Sequence, residues 1–243
     1  MSLIIRVLTI FSLAGIAVAG EQPHWTYSGS HGPASWGDLS PDYVQCKVGV
    51  NQSPIDITNP IEATLPALQV HYASSTTTLV NNGHTAQANV APGSYFMDGD
   101  EKFELVQFHV HAPSEHQVDG KSFLMETHFV HQNASGQLAV VAVLHSKGDR
   151  RSKMKGFVAA IPTRVNEPVP YSLSTSSIGL AYGDTAYYRY NGSLTTPPCS
   201  EGVRWYVMKL PRPISAQQQQ TFIKLIGKDA RGPQALNARL VLQ

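Results

Sequence analysis

The sequence predicts a single, mainly β (α+β) domain, and three observations predict it. Short strand-like runs recur between Gly, Pro, Asn and Asp turn signals along most of the chain. Helical periodicity is confined to two brief stretches. A length of 243 residues with 42% hydrophobic content is enough for one large core, and no Pro/Ser linker or internal repeat divides it.

The elements follow in order. Residues 1–19 read as a secretory leader: Arg6 supplies a positive start, 7–18 a short apolar stretch, and Ala17-Val18-Ala19 a small-x-small cleavage site. The mature domain is then 20–243. Strands are expected at 68–72, 77–80, 85–90, 103–111, 123–132, 137–144, 187–190 and 203–210. Ser215 is placed to cap a helix over Ala216–Ile226 that Gly227 ends, and 147–160 is read as another short helix.

Composition excludes several classes of function. The formal net charge is +1 with no Lys/Arg stripe, so nucleic acid is not an expected partner. No apolar run after the leader approaches the ~20 residues of a membrane-spanning helix. Charged residues, at 14%, are scarce, and the abundance of apolar residues excludes disorder. An exported chain can pair its two cysteines, Cys46 and Cys199; closing so long a loop stabilises by roughly 4–5 kcal/mol in the chain-entropy model. Two buried free thiols are the alternative, and the absence of a CxxC argues against a redox site.

The ten histidines carry the chemistry. In Gln107-Phe108-His109-Val110-His111, side chains two apart share a strand face, so Gln107, His109 and His111 point one way and Phe108 and Val110 the other. After a turn at Asp119-Gly120, Glu126 and His128 share a face of the next strand. An antiparallel pairing brings three imidazoles together, the ligand set of a catalytic zinc site with one position open. Gln107 and Glu126 each stand two residues before a ligand, on its own face, ready to accept the N–H that a metal-bound imidazole donates. His24, His31, His71, His131 and His145 are read as ordinary core or surface residues. The pattern His109-x-His111-x3-Glu115 also fits part of a cupin metal motif, but the flanking glycines are missing and no second motif follows.

Several segments together carry a resemblance. They are His24-Trp25, Trp36-Gly37, Asn51-Gln52-Ser53-Pro54-Ile55-Asp56, Asn82-Gly83-His84, the run from Gln107 to His116 and the run from Glu126 to His131. Asn191-Gly192-Ser193-Leu194-Thr195-Thr196-Pro197-Pro198-Cys199-Ser200-Glu201 and Arg204-Trp205 complete the set. In these segments the chain resembles the alpha class of carbonic anhydrases in its bacterial, secreted form. The resemblance implies a large twisted, mostly antiparallel central sheet with a few short peripheral helices, and one Zn2+ per chain at the base of a cleft. It implies reversible hydration of carbon dioxide to bicarbonate and a proton, in the bacterial periplasm.

Residue by residue, His109, His111 and His128 look like the zinc ligands. Thr195 resembles the threonine that accepts a hydrogen bond from the zinc hydroxide, and Glu115 the carboxylate that takes that threonine's proton. By resemblance Val130, Val140, Leu194, Thr196 and Trp205 form the substrate site. His84 matches the proton shuttle, and Tyr27, Asn82 and Gln87 match residues that hold the connecting waters. A homodimer is an expectation from bacterial relatives alone. A non-catalytic binding domain of the same fold is the alternative, and the retention of all three ligands, Glu115 and Thr195 argues against it. Ester hydrolysis is read as a side reaction. Departures from the family pattern are Thr26 for a glycine, the altered segment from Arg231 to Asn237, and 165–177, which matches little.

Overall fold

Strands and short helices alternate along residues 23–148, 154–173 and 186–243, which are the parts of the chain described by the computed structural model. The leader expected over 1–19 lies outside them. The strands are β1 (Asp56–Ile57), β2 (Gln69–His71), β3 (Ser75–Asn81), β4 (Ala86–Val90), β5 (Tyr95–Asp98), β6 (Glu101–His111) and β7 (Gln117–Val118). They continue as β8 (Met125–Gln132), β9 (Leu138–Lys147), β10 (Val169–Leu173), β11 (Tyr187–Ser193), β12 (Glu201–Met208) and β13 (Arg212–Ile214). The helices are α1 (Trp36–Leu39), α2 (Gln45–Val48), α3 (Lys155–Ala160) and α4 (Ala216–Ile226).

Among the described residues, eleven strands form one sheet along the path β10-β3-β4-β6-β8-β9-β12-β11, with β5 on β6, β2 on β5 and β13 on β9. Its pairings are antiparallel except where β12 and β13 run parallel to β9. The mostly antiparallel sheet and the mainly β class are therefore as the sequence implies. Strand β10 was not legible in the pattern because it contains Pro170; an edge position tolerates the missing N–H. The helix expected within 147–160 is shorter: β9 runs on to Lys147, α3 begins at Lys155, and 149–153 lie outside the described residues. Helix α4 forms as expected. The Ser215 hydroxyl accepts the Gln218 N–H while the Gln218 side chain accepts the Ser215 N–H, and Phe222 buries the apolar face.

One irregularity sets which way the site points. The register of β6 on β8 slips between Leu105 and Gln107, so Val106 is a β-bulge and is exposed. Before it, the odd-numbered Phe103 and Leu105 face the larger core; after it, the even-numbered Phe108 and Val110 do. The extra residue shifts the two-residue alternation by one. Gln107, His109 and His111 are thereby turned to the opposite face, together with Glu126, His128 and Val130 of β8. That face is packed by a second apolar cluster that includes Ile55, Val140, Trp205 and Val207.

Candidate active site

The central strands align the predicted residues in adjacent cross-strand rows. One row runs Gln87, His109, His128 and Ala142 across β4, β6, β8 and β9. The neighbouring row runs Asn89, Gln107, Val130, Val140, Trp205 and Tyr190. On the other side His111 faces Glu126. The imidazole nitrogens of His109, His111 and His128 include one from each ring that lie within 4.8 Å of one another.

Each ring is held from behind. His109 Nδ1 donates to Gln107 Oε1 at 2.8 Å, His128 Nε2 to Glu126 Oε1 at 2.8 Å, and His111 Nδ1 to the Asp229 carbonyl at 2.7 Å. These bonds leave Nε2 of His109, Nε2 of His111 and Nδ1 of His128 as the free nitrogens. His111 Nε2 is buried without any hydrogen-bond partner, an arrangement that is costly for a buried polar atom and that a metal ion relieves. The donor set therefore fits a divalent zinc-like ion. Burial and the neighbouring imidazoles push His109 well below the usual imidazole range, and burial takes His128 down to about 4. Both rings are thus neutral at pH 7, as metal ligation requires. A second group, His116, Glu126 and His128, also lies close together, but its atoms are consumed by hydrogen bonds. Glu126 Oε1 accepts from His116 Nδ1 as well as from His128, and Oε2 accepts the N–H groups of Glu115 and His116. Burial opposes ionisation of Glu126, but those two imidazoles hold its carboxyl well below the usual range.

Glu115 is buried, with Oε1 accepting the Arg231 N–H at 2.9 Å. Its Oε2 stands 3.6 Å from His111 Nε2 and 3.8 Å from His128 Nδ1. Burial pushes its pKa up to about 8, against the Arg231 N–H and the nearby Thr195 hydroxyl, which favour the charged form. Thr195 is buried in a loop closed by hydrogen bonds from Leu194 N to Ser200 O (3.0 Å) and from Cys199 N to Thr196 O (2.8 Å). Cys199 is disulfide-bonded to Cys46 of α2, the expected pair, and the described residues contain no free cysteine. Val130, Val140 and Trp205 are buried in the second cluster with Leu194 at its edge, and Thr196 is partly exposed.

His84 sits on the β3–β4 loop. Asn82 Oδ1 accepts the His84 and Thr85 N–H groups at 2.9 and 2.8 Å, so its oxygen is spent on shaping the loop. Its Nδ2 reaches Gln87 Oε1 at 3.5 Å. The His84 ring stacks on Trp25, with centroids 3.7 Å apart and planes 7° from parallel. Burial, then the charge of His24, lowers the His84 pKa. Tyr27 packs edge-on against Trp25 and Trp36, and its hydroxyl is buried without a hydrogen-bond partner.

Two further residues hold the cluster in place without a motif that points to them. Asp229 supplies a backbone carbonyl to His111 and a carboxylate oxygen to the Ala112 N–H at 2.7 Å. Arg231 is buried and ties Glu115 to Gln52, Ser53 and Cys46. A backbone acceptor has no side-chain signature, so no motif could have revealed the first. His131 and His145, read as ordinary core or surface residues, are buried with one ring nitrogen bonded to Tyr72 and to Thr127, respectively.

Fold and site define a protein with three convergent histidines on the central strands of a large, mainly antiparallel sheet. The eukaryotic-type carbonic anhydrase family model matches residues 31–243. A carbonic anhydrase of Pectobacterium carotovorum is 40% identical over 239 residues, 98% of each chain. One of Neisseria gonorrhoeae is 38% identical over 247 residues, covering 100% of this chain and 95% of its own. The solved alpha-carbonic anhydrase of Thermovibrio ammonificans, in complex with the inhibitor sulfanilamide, superposes with a TM-score of 0.87. It has 42% identity and covers 92% of this chain and 100% of its own. The chain belongs to the alpha-class carbonic anhydrase family of enzymes. The cupin alternative falls with that result.

Proposed function

We propose that this enzyme hydrates carbon dioxide reversibly to bicarbonate and a proton, with one Zn2+ held by His109, His111 and His128. The observation that carries the reading is the convergence of three ring nitrogens, each ring fixed from behind by a hydrogen-bond acceptor, beside an apolar wall. When bound, zinc makes a hydroxide nucleophile available at neutral pH by lowering its water's pKa to ~7, a value established on carbonic anhydrase itself.

The chain's own residues do the positioning. Gln107, Glu126 and the Asp229 carbonyl fix the tautomer and orientation of the three rings. Thr195 can donate and accept at once, whereas an ionised Glu115 can only accept. Glu115 accepts a hydrogen bond from the Thr195 hydroxyl, which commits the threonine oxygen to accepting from the nucleophile and orients it. Glu115 ionises more readily beside a dication than its buried carboxyl does alone. Val130, Val140, Leu194 and Trp205, with Thr196 at the margin, offer apolar surface to an apolar substrate. His84, neutral at pH 7, accepts the proton that each hydration releases and passes it to solvent, along a path lined by Tyr27, Asn82 and Gln87.

Export to a bacterial periplasm is supported by the leader pattern and by the Cys46–Cys199 bond, which an oxidising compartment maintains. No helix among the described residues is long and apolar enough to cross a membrane. Stopped-flow hydration of carbon dioxide, with zinc quantified on the same sample, tests the reading. Hydration that is lost on chelation and restored by zinc is expected. An inactive protein carrying one zinc per chain would refute it.

A further inference from the structure

The stretch 165–177 matches little of the family pattern, yet its described part lies against the loop that carries His84. Asn81, the last residue of β3, is the joint. It is buried, its Oδ1 accepts the Gly83 N–H at 3.0 Å and its Nδ2 donates to the Pro162 carbonyl at 3.4 Å. Its backbone carbonyl accepts the Asn166 N–H at 2.8 Å, and Asn81 and Val165 form a parallel bridge. A Cβ placed on Gly83 would lie 3.3 Å from Val165 Cγ1, so the valine side chain rests against the Gly83 backbone, one residue from His84.

The stretch is itself anchored at both ends. On one side Ile161 is buried in the larger core, and on the other β10 pairs with β3 from Val169↔Leu79 onward. Asn166 has φ +60, a left-handed conformation that asparagine tolerates and proline cannot adopt. A hairpin loop at a sheet end is ordinarily among the more mobile parts of a domain. Here a second segment clamps the base of the loop through two hydrogen bonds at Asn81 and rests a side chain on Gly83.

We propose that residues 162–166 are a positioning brace for the proton-shuttle loop, fixing where His84 stands without taking part in holding the metal. The inference rests on the proposed shuttle role of His84. Mispositioning a relay group lengthens the proton path, while metal ligation and carbon dioxide attack depend on β6, β8 and the Thr195 loop and are left alone.

Isotope exchange from 18O-labelled bicarbonate at chemical equilibrium tests this, because it reports carbon dioxide–bicarbonate interconversion and proton transfer separately. Asn166→Pro removes the N–H donated to Asn81 and cannot adopt the native φ. It is expected to slow proton transfer about tenfold while interconversion stays within about twofold, with imidazole in the buffer restoring the loss. Val165→Gly, at an exposed position that does not threaten folding, should give a smaller loss of the same kind. Asn166→Gly keeps both the N–H and the φ and should match the parent. If Asn166→Pro and Val165→Gly keep parental proton transfer while His84→Ala loses it, the brace is wrong and the shuttle stands. If His84→Ala loses nothing, the shuttle reading fails and takes the brace with it. A parallel fall in interconversion would mean a general structural role and overturn the brace as well.

Discussion

The three clustered histidines and His84 are held in opposite ways. His109, His111 and His128 stand on the two central strands, each with one nitrogen locked by an acceptor at 2.7–2.8 Å. His84 stands on a loop, half-buried, with its ring stacked on Trp25, and among the described residues no hydrogen bond locks its ring. The difference follows from the work proposed for each. A metal ion needs three nitrogens fixed in distance and tautomer, and a buried sheet supplies that fixity. A proton relay must take up a proton on one side and release it on the other, which a ring locked at both nitrogens cannot do. Stacking restrains the plane of His84 while leaving its nitrogens available to water.

The largest effect expected from breaking this comparison is at the strands. His128→Ala removes one of the three proposed ligands, and both zinc retention after dialysis and hydration should be lost outright. Retention of stoichiometric zinc with activity would show that the site is elsewhere. Glu126→Gln keeps the shape but weakens the support of His128 and His116; zinc affinity, measured by chelator competition, should fall about 10–100-fold. His84→Ala should leave zinc affinity at the parental value. Turnover in weak buffer should fall on the order of tenfold, below the usual range for an acid–base group because solvent also takes protons, with recovery on adding imidazole. A loss of zinc in that variant would mean that the loop and the strands are not independent.

The smallest effect concerns the opposite face of the sheet. Burial takes His145 down to about 4, so the folded state keeps it neutral where the unfolded chain, near 6.5, takes up a proton. Falling pH therefore removes stability from about pH 6.5 downward, until His145 begins to protonate in the folded protein. Replacing it removes that dependence. The deficit of His145→Gln relative to the parent, from urea unfolding, should shrink by about 2 kcal/mol between pH 7.5 and pH 5. A deficit that stays constant with pH would contradict a neutral buried imidazole.

Much of the site could be read before the fold was known, because period-two alternation is a strong constraint on a buried strand. Gln107 and Glu126 were legible as supports because each shares a strand face with the histidine it holds. The support for His111 was not, since it comes from the backbone of Asp229, 118 residues away in the chain. Arg231 was visible only as part of an altered motif, yet its N–H and guanidinium join Glu115 to the segment around Cys46. Strand β5 was missed because Tyr95-Phe96-Met97-Asp98 shows no polar alternation, and β10 because of its proline. The bulge at Val106 was hidden for a different reason. Phe103, Leu105, Gln107 and His109 fall on an unbroken run of odd positions, so nothing in the spelling marks the change of face.

That bulge gives β6 a simple arithmetic of length. The strand is two alternating series, out of step by one, spliced at a single residue. Removing Val106, or adding one residue between Phe103 and Gln107, would turn either the aromatic half or the histidine half to the wrong side. A compensated pair of changes would not. The turns at Gly99 and at Asp119-Gly120 lie outside the splice and can change length freely in this respect. The length of β6 is thus constrained by parity as much as by chemistry: exchanging a residue type along it disturbs the two faces far less than gaining or losing one.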